Sequence, residues 1–421
     1  MASGSVGKDR EKILRRQERS TSFANQYTEY TVFTSIRKED PIMIARTPPM
    51  GWNSWNTFGW QINEALIREM ADFMVNEGYK DAGYEYLVID DCWSLRQRGA
   101  DGRIVPDPEK FPHGMKAVAD YVHSKGLKFG MYSCAGARTC AGYPGSYDHE
   151  FVDAQTFADW GVDFLKYDFC NFPSSGDCKA RYLTMSMALK ATGREILFSA
   201  CNWGQQEPGT WMRQIGAHMY RSTGDIMDNY LSFTNIVKSQ LNKLCMSAPG
   251  CFNDMDMMTV GMEGKGGNSA LFEGGENGAF GTEGTYRIQF CIWCMFQTPL
   301  IMGCDVRSVS DKYRDLLCNK ELIAINQDIE CRTAFPVSGD DRLVFCKHLS
   351  DGSFALLFVN GDEQDRVLSC ITHDIGYTVG SGYKIHMRDI LSGEEMIQGD
   401  FPEIKVPGYD CRIFKCKLVK D

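Results

Sequence analysis

The sequence predicts an α/β protein: a (β/α)8 TIM barrel followed by a small C-terminal antiparallel β-sandwich domain. Three observations predict it. Strand-like apolar runs alternate with helical patterns eight times between residues 46 and 330. Several of those runs close in carboxylates, as the C-terminal face of a catalytic barrel does. After about Asp328 the helical period stops, and short strands separated by turn dipeptides take over. A doubly wound sheet is the competing architecture, but it carries fewer units and a Gly-rich phosphate turn that this chain lacks.

Residues 1–45 form a polar N-terminal extension without a clear period, in which Gln26 to Ile36 suits an edge strand. A tail and a homo-oligomer contact are the two roles open to it. The first barrel strand lies within Arg46 to Trp55, after the stop at Pro48-Pro49. Asn63 to Gly78 follows as a helix, with Ile62, Leu66, Met70, Phe73 and Met74 at helical spacing and Gly78 as its stop. The remaining strands are expected within Tyr86–Asp91, Leu127–Ser133, Val162–Asp168, Ile196–Ser199, His218–Arg221, Gly250–Met257 and Leu300–Cys304. Helices fall between them, from Met115–Lys125 to Asp311–Leu317. An insert at 262–284 breaks the rhythm. It is Gly-rich, carries Glu263, Glu273, Glu276 and Glu283, and follows strand seven, so it belongs over the active face unless it is a tolerated insertion. The segment 331–421 supplies the sandwich, with strands at Arg342–Cys346, Phe354–Val359, Tyr383–Met387 and Arg412–Cys416.

Composition narrows the function. Hydrophobic residues are 43% and charged residues 24% of 421, as in an ordinary globular protein. A net charge of −10 without a basic stripe argues against nucleic acid. No apolar run approaches the ~20 residues of a membrane span, and no apolar core follows the N-terminal charges as in a leader. With no Asn-x-Ser/Thr acceptor either, a cytoplasmic location is expected. The 17 cysteines are scattered and odd in number, not a disulfide framework. Cys291-x-x-Cys294 stands on an apolar helix, where packing is its ordinary role, and the seven histidines show no ligand spacing. No metal and no cofactor is called for.

The chemistry gathers at Val162 to Cys170. Lys166 and Asp168 are two residues apart, hence on one face of a strand. An isolated Lys-x-Asp is usually a structural ion pair. Here carboxylates also close Tyr86 to Asp91, Arg221 to Asp225 and Phe252 to Asp256, which turns a local pair into a ring of acids.

The order and spacing of six motifs resemble glycoside hydrolase family 27, the α-galactosidase and α-N-acetylgalactosaminidase family. They are Pro48 to Trp55, Ile89-Asp90-Asp91-Cys92-Trp93, Lys166-Tyr167-Asp168-Phe169-Cys170, Arg221 to Ile226, Asn253-Asp254-Met255-Asp256-Met257 and Ile325-Asn326-Gln327-Asp328. The resemblance covers residues 46–330 well and the β-domain more loosely. It implies that Asp168 is a nucleophile and Asp225 a general acid/base in a retaining mechanism. It also implies that Trp55, Asp90, Asp91, Tyr132, Cys140, Lys166, Arg221 and Asp256 bind the sugar. Cys140 and Cys170 match positions that form a disulfide in the family, with one edging the sugar site. Lys166 is expected to hold the pKa of Asp168 down, and apolar walls with negative neighbours to keep a proton on Asp225.

One stretch departs from the family pattern. Cys201-Asn202-Trp203 stands where α-galactosidases commonly have Cys-Glu-Trp, which places Asn202 and Trp203 near the sugar's 2-position by resemblance. An amide still donates to and accepts from a 2-hydroxyl, and the N-acetylgalactosaminidases of animals carry small residues there instead, so terminal α-galactosides stay the first substrate expected. N-acetylgalactosaminides come second and β-L-arabinopyranosides third. A non-catalytic galactoside-binding protein is a more distant reading, and a redox or metal enzyme using the cysteines another.

Overall fold

The computed structural model describes residues 43–265, 281–337 and 344–420. The proposed edge strand at Gln26 to Ile36, most of the N-terminal extension, and Glu273 and Glu276 of the insert lie outside the described residues. Ile44–Asp421 forms one compact unit.

Eight parallel strands make the barrel wall: β1 (Met50–Asn53), β2 (Tyr86–Val88), β3 (Lys128–Cys134), β4 (Phe164–Asp168), β5 (Leu197–Cys201), β6 (Met219–Arg221), β7 (Phe252–Asp254) and β8 (Leu300–Met302). From β1 to β7 each pairs with the next, and β8 returns to β1 through Gly51↔Ile301. The seam between β7 and β8 closes just past β7, where Met258 pairs with Met302. All eight strands lie inside or within two residues of the spans expected from the sequence; the structure shortens most of them. Tyr86 to Asp91, for instance, is a strand only to Val88, so Asp90 and Asp91 stand beyond its hydrogen-bonded end.

Alternation along the strands sorts the apolar side chains into two layers. Tyr86, Val88, Phe164, Leu197 and Met219 fill the barrel interior. Leu87, Leu165, Phe198 and Tyr220, their chain neighbours, face the helices in a separate layer. Gly130 of β3 shows how tight the interior is: a Cβ there would come within 2.7 Å of the Val88 side chain. The surrounding helices include α1 (Glu64–Asn76), α2 (Gly114–Ser124), α3 (Glu150–Trp160), α4 (Cys178–Ala191), α5 (Met212–Ile215), α6 (Tyr230–Gln240), α7 (Glu283–Met295) and α8 (Asp311–Leu317). Asn63, Asp177 and Asn229 cap α1, α4 and α6 by accepting from backbone N–H groups in the first turn.

The second domain is antiparallel. A six-stranded sheet contains Phe335–Pro336, Val344–His348, Phe354–Asn360, Tyr383–Asp389, Glu395–Gln398 and Asp410–Lys420; Arg366–Ser369 and Glu403–Val406 make a two-stranded sheet. Leu368, Ile404 and Val406 of the small sheet pack with Phe358, Met387 and Phe414 of the large one. The other face of the large sheet is not free. Phe345, Leu357 and Ile413 belong to the same apolar cluster as Ile292 and Phe296 at the end of α7. Barrel and sandwich share one core there.

Candidate active site

The C-terminal strand ends converge on one pocket, and eleven of the thirteen expected site residues line it, Asp225 at its open edge. On one wall stand Trp55, Asp90 and Asp91. The second wall carries Tyr132, Cys140, Lys166 and Asp168, and the third Trp203, Arg221, Asp225 and Asp256.

The first wall is held by the chain just after β1 and β2. Asn53 is the hinge: its Nδ2 donates to Asp90 Oδ2 at 2.8 Å, and its Oδ1 accepts from the backbone N of Trp55 at 2.8 Å. One buried amide thus fixes both the acid and the indole. Asp91 accepts from the backbone N–H groups of Cys92 (2.7 Å) and Ala141 (3.0 Å). Burial pushes the Asp91 carboxyl up, and these bonds oppose it.

Lys166 Nζ lies 2.8 Å from Asp90 Oδ2, with both side chains buried or nearly so. Burial works against its charge, but Asp90, with other negative neighbours including Asp168, more than offsets that and keeps the ammonium protonated. The ammonium also stands 5.3 Å from the centre of the Tyr132 ring. Asp168 is 5% exposed. Its Oδ1 accepts from the backbone N of Phe169 at 2.8 Å, and its Oδ2 from Tyr132 Oη at 3.2 Å. Here the sequence expectation is corrected. Lys166 does lower the pKa of Asp168, but burial outweighs it, and Asp90 and Asp225 add negative charge, so the carboxyl is pushed up to about 6. The lysine's direct partner is Asp90.

On the third wall Arg221 is buried and trifurcated. Its Nη2 reaches Asp225 Oδ1 at 2.7 Å, Asp256 Oδ2 at 2.6 Å and the carbonyl of Gly224 at 2.8 Å. Asp256 also accepts from the backbone N–H groups of Ile226 and Met257, both at 2.7 Å. Burial pushes Asp256 up to about 6 against the pull of Arg221. Asp225 is a second correction. It was expected among apolar walls, yet its side chain is 56% exposed and ion-paired to Arg221. It sits four residues beyond β6, at the open edge.

Two more expectations change. Asn202 does not line the pocket; it is fully buried, and its Nδ2 donates to the Gln205 carbonyl at 2.5 Å, inside its own turn. Alternation along the strand end explains this: Cys201 and Trp203 face inward, so the residue between them faces away. Cys170 does not line the pocket either. It is joined to Cys140, which does, and its sulfur lies within 4.8 Å of an Asp168 oxygen. Sequence reasoning missed Asn56, Cys201 and Met257 as lining residues. Each is a chain neighbour of a residue it did name, and only the turn of the backbone decides which neighbour faces in.

The profile of the family described as Alpha galactosidase A matches residues 47–328. The chain is 47% identical over 380 residues to an alpha-galactosidase of Coffea arabica, covering 88% of this chain and 94% of the relative. The structure of alpha-galactosidase I from Mortierella vinacea superposes with a TM-score of 0.81 at 32% identity, covering 89% of this chain and 97% of that one. An alpha-galactosidase of Saccharomyces cerevisiae with raffinose superposes at 0.80 with 27% identity, covering 89% and 98%. With the same barrel, the same second domain and a matched span that contains every strand-end acid of the pocket, the chain belongs to the alpha-galactosidase A family, glycoside hydrolase family 27.

Proposed function

We propose that the protein is a retaining exo-glycosidase that removes terminal α-linked galactose from oligosaccharides or glycoconjugates. One observation carries this reading: a buried carboxylate and an exposed one, Asp168 and Asp225, line the same pocket and feel each other's charge. Their surroundings divide the work. Asp168 is held rigidly by the Phe169 N–H and Tyr132, with the Lys166 cation nearby, and attacks the anomeric carbon as a carboxylate. Asp225, at the solvent edge, protonates the departing glycosidic oxygen and then takes a proton from the incoming water. The glycosyl-enzyme ester forms as the leaving group departs, and water releases it with the original configuration restored.

The other polar groups hold the sugar. Asp90 and Asp91 are acceptors facing hydroxyls, and Lys166 shares its ammonium between Asp90 and the substrate. Trp55 offers an apolar face to the ring. Tyr132 steadies the nucleophile while Arg221 tethers the acid/base to Asp256. The raffinose bound by the yeast relative supports a carbohydrate of this kind. N-acetylgalactosaminide and β-L-arabinopyranoside are the second and third substrates in order. The paired carboxylates at 90–91 favour a full galactose.

The test separates the two aspartates. Asp168→Ala abolishes turnover of nitrophenyl α-galactoside, because no other group forms the ester. Asp225→Ala releases a burst of nitrophenol and then stalls, and azide restores its turnover. A burst in the Asp168 variant instead exchanges the two roles. Faster turnover of the N-acetylgalactosaminide than of the galactoside overturns the substrate order.

A further inference from the structure

Beside the catalytic pocket lies a second cavity, of about 230 Å³, on the outer side of β6 and β7 beneath the loop that follows β5. It shares no lining residue with the catalytic pocket, but the two are separated by a single thickness of chain. Trp203 lines one and Gly204 the other; Arg221 lines one and Ser222 the other. The two strips are joined, since Gly204 N donates to the Arg221 carbonyl at 3.2 Å. They touch so closely that a Cβ on Gly204, already at φ +83°, would lie 2.5 Å from the Ser222 carbonyl oxygen.

The lining has unspent polar capacity. Asn253 is 5% exposed; its Nδ2 donates to Gln240 Oε1 at 2.8 Å, but its Oδ1 has no partner. A buried amide oxygen left unbonded costs on the order of 1–3 kcal/mol unless a bound molecule supplies a donor. At the rim, the carboxylate of Glu207 and the ammonium of Lys243 have no hydrogen-bond or ion-pair partner among the described residues. Thr210 adds a hydroxyl, and its Oγ1 is already spent on the Glu207 carbonyl at 2.8 Å. Apolar surface comes from Met246 and the Tyr220 ring. The loop above is conformationally costly: Trp203, Gln206 and Glu207 all have φ between +50° and +56°.

We propose that this cavity is a second carbohydrate site that binds one neutral hexopyranose unit. The chemistry fits that class. A pyranose presents neighbouring hydroxyls that donate to Glu207 and accept from Lys243, and a C–H face that suits Met246 and Tyr220. At about 230 Å³ the space is large enough for one such ring. The occupant presses on Gly204 and Ser222, which continue directly into Trp203 and Arg221, so filling the site alters how the catalytic pocket holds its own sugar.

Equilibrium dialysis of the intact protein against labelled D-galactose counts sugars per chain. Two are expected in the wild type and one in Met246→Trp, whose indole fills the cavity. Lys243→Ala, at a half-buried surface position, keeps the test open if the tryptophan variant does not fold, and is expected to weaken the second event at least tenfold. A count of one that falls to zero in Met246→Trp upholds the cavity and sinks the galactosidase reading instead. One sugar in both proteins overturns the proposal. So does displacement of the second sugar by glycine at equal concentration, which would make the cavity a zwitterion site.

Discussion

At the scale of single residues, the site works by balancing burial against nearby charge. Asp168 is the clearest case. Its carboxyl is pushed up to about 6 by burial, while the Lys166 ammonium pulls the other way. A nucleophile must be ionised, so its reactivity is present above that pKa and lost as pH falls through it. The burst of nitrophenol from Asp225→Ala, which reports ester formation alone, is therefore expected to have an acid limb below pH 6, because removing Asp225 takes away one of the charges that raise Asp168. Lys166→Met removes the largest opposing charge and leaves Asp90 unpaired, so the limb moves to higher pH; a limb that stays put removes Lys166 from the account. Asn202 belongs to the opposite class. It is buried within its own turn, so Asn202→Ala is expected to lower stability by about 1 kcal/mol without changing the preference between α-galactoside and N-acetylgalactosaminide. A changed preference in that assay would return Asn202 to the sugar site.

At the scale of elements, loops after the strands carry the site and specific ties fix them. The Cys140–Cys170 bond joins the loop after β3 to the end of β4 across 30 residues. Cross-linking a loop of that length stabilises a fold by about 3–4 kcal/mol, by restricting the unfolded chain. Cys170→Ser with Cys140→Ser is therefore expected to lower the unfolding free energy by that amount, read from denaturant unfolding. It also frees the wall carrying Cys140, so KM for the nitrophenyl substrate rises more than kcat falls. Equal effects on both constants would mean that the bond serves stability alone. The base of the insert is fixed in a similar way: Asp228 accepts from Tyr286 Oη at 2.8 Å and from Gly264 N at 2.8 Å, and Glu263 N donates to the same tyrosine oxygen at 2.7 Å.

At the scale of the whole molecule, barrel and sandwich are one cooperative body. Arg287 of α7 pairs with Asp410 at 2.5 Å, and Lys347 of the large sheet, fully buried, donates to the Ile325 carbonyl at 2.5 Å. Together with the shared core of Phe345, Leu357 and Ile413, these contacts make the domain boundary at 330 a boundary of chain pattern rather than of stability. A protein ending at residue 330 would expose Ile292 and Phe296, and is expected to aggregate instead of yielding an active barrel. Recovery of monomeric, active protein from that truncation would show that the sandwich is dispensable.

The sequence by itself determined the eight-unit barrel, the change to β structure after Asp328, and the strands that would deliver acids to one face. Those features depend on local periodicity and chain order, which a sequence states directly. It also named eleven of the residues that line the pocket, because the strand-end motifs are short and their family resemblance strong. Only the tertiary structure decided which partner each charge has. Lys166 pairs with Asp90, 76 residues away, and Arg221 with Asp256, so neither pairing is visible from neighbours along the chain. The same holds for burial. Asp168 lies deep as the last residue of β4 and Asp225 at the edge in the loop after β6, and a carboxyl's pKa follows its surroundings in space. Asn202 was assigned to the sugar and lies behind it, since facing in or out at a strand end turns on a single residue of register.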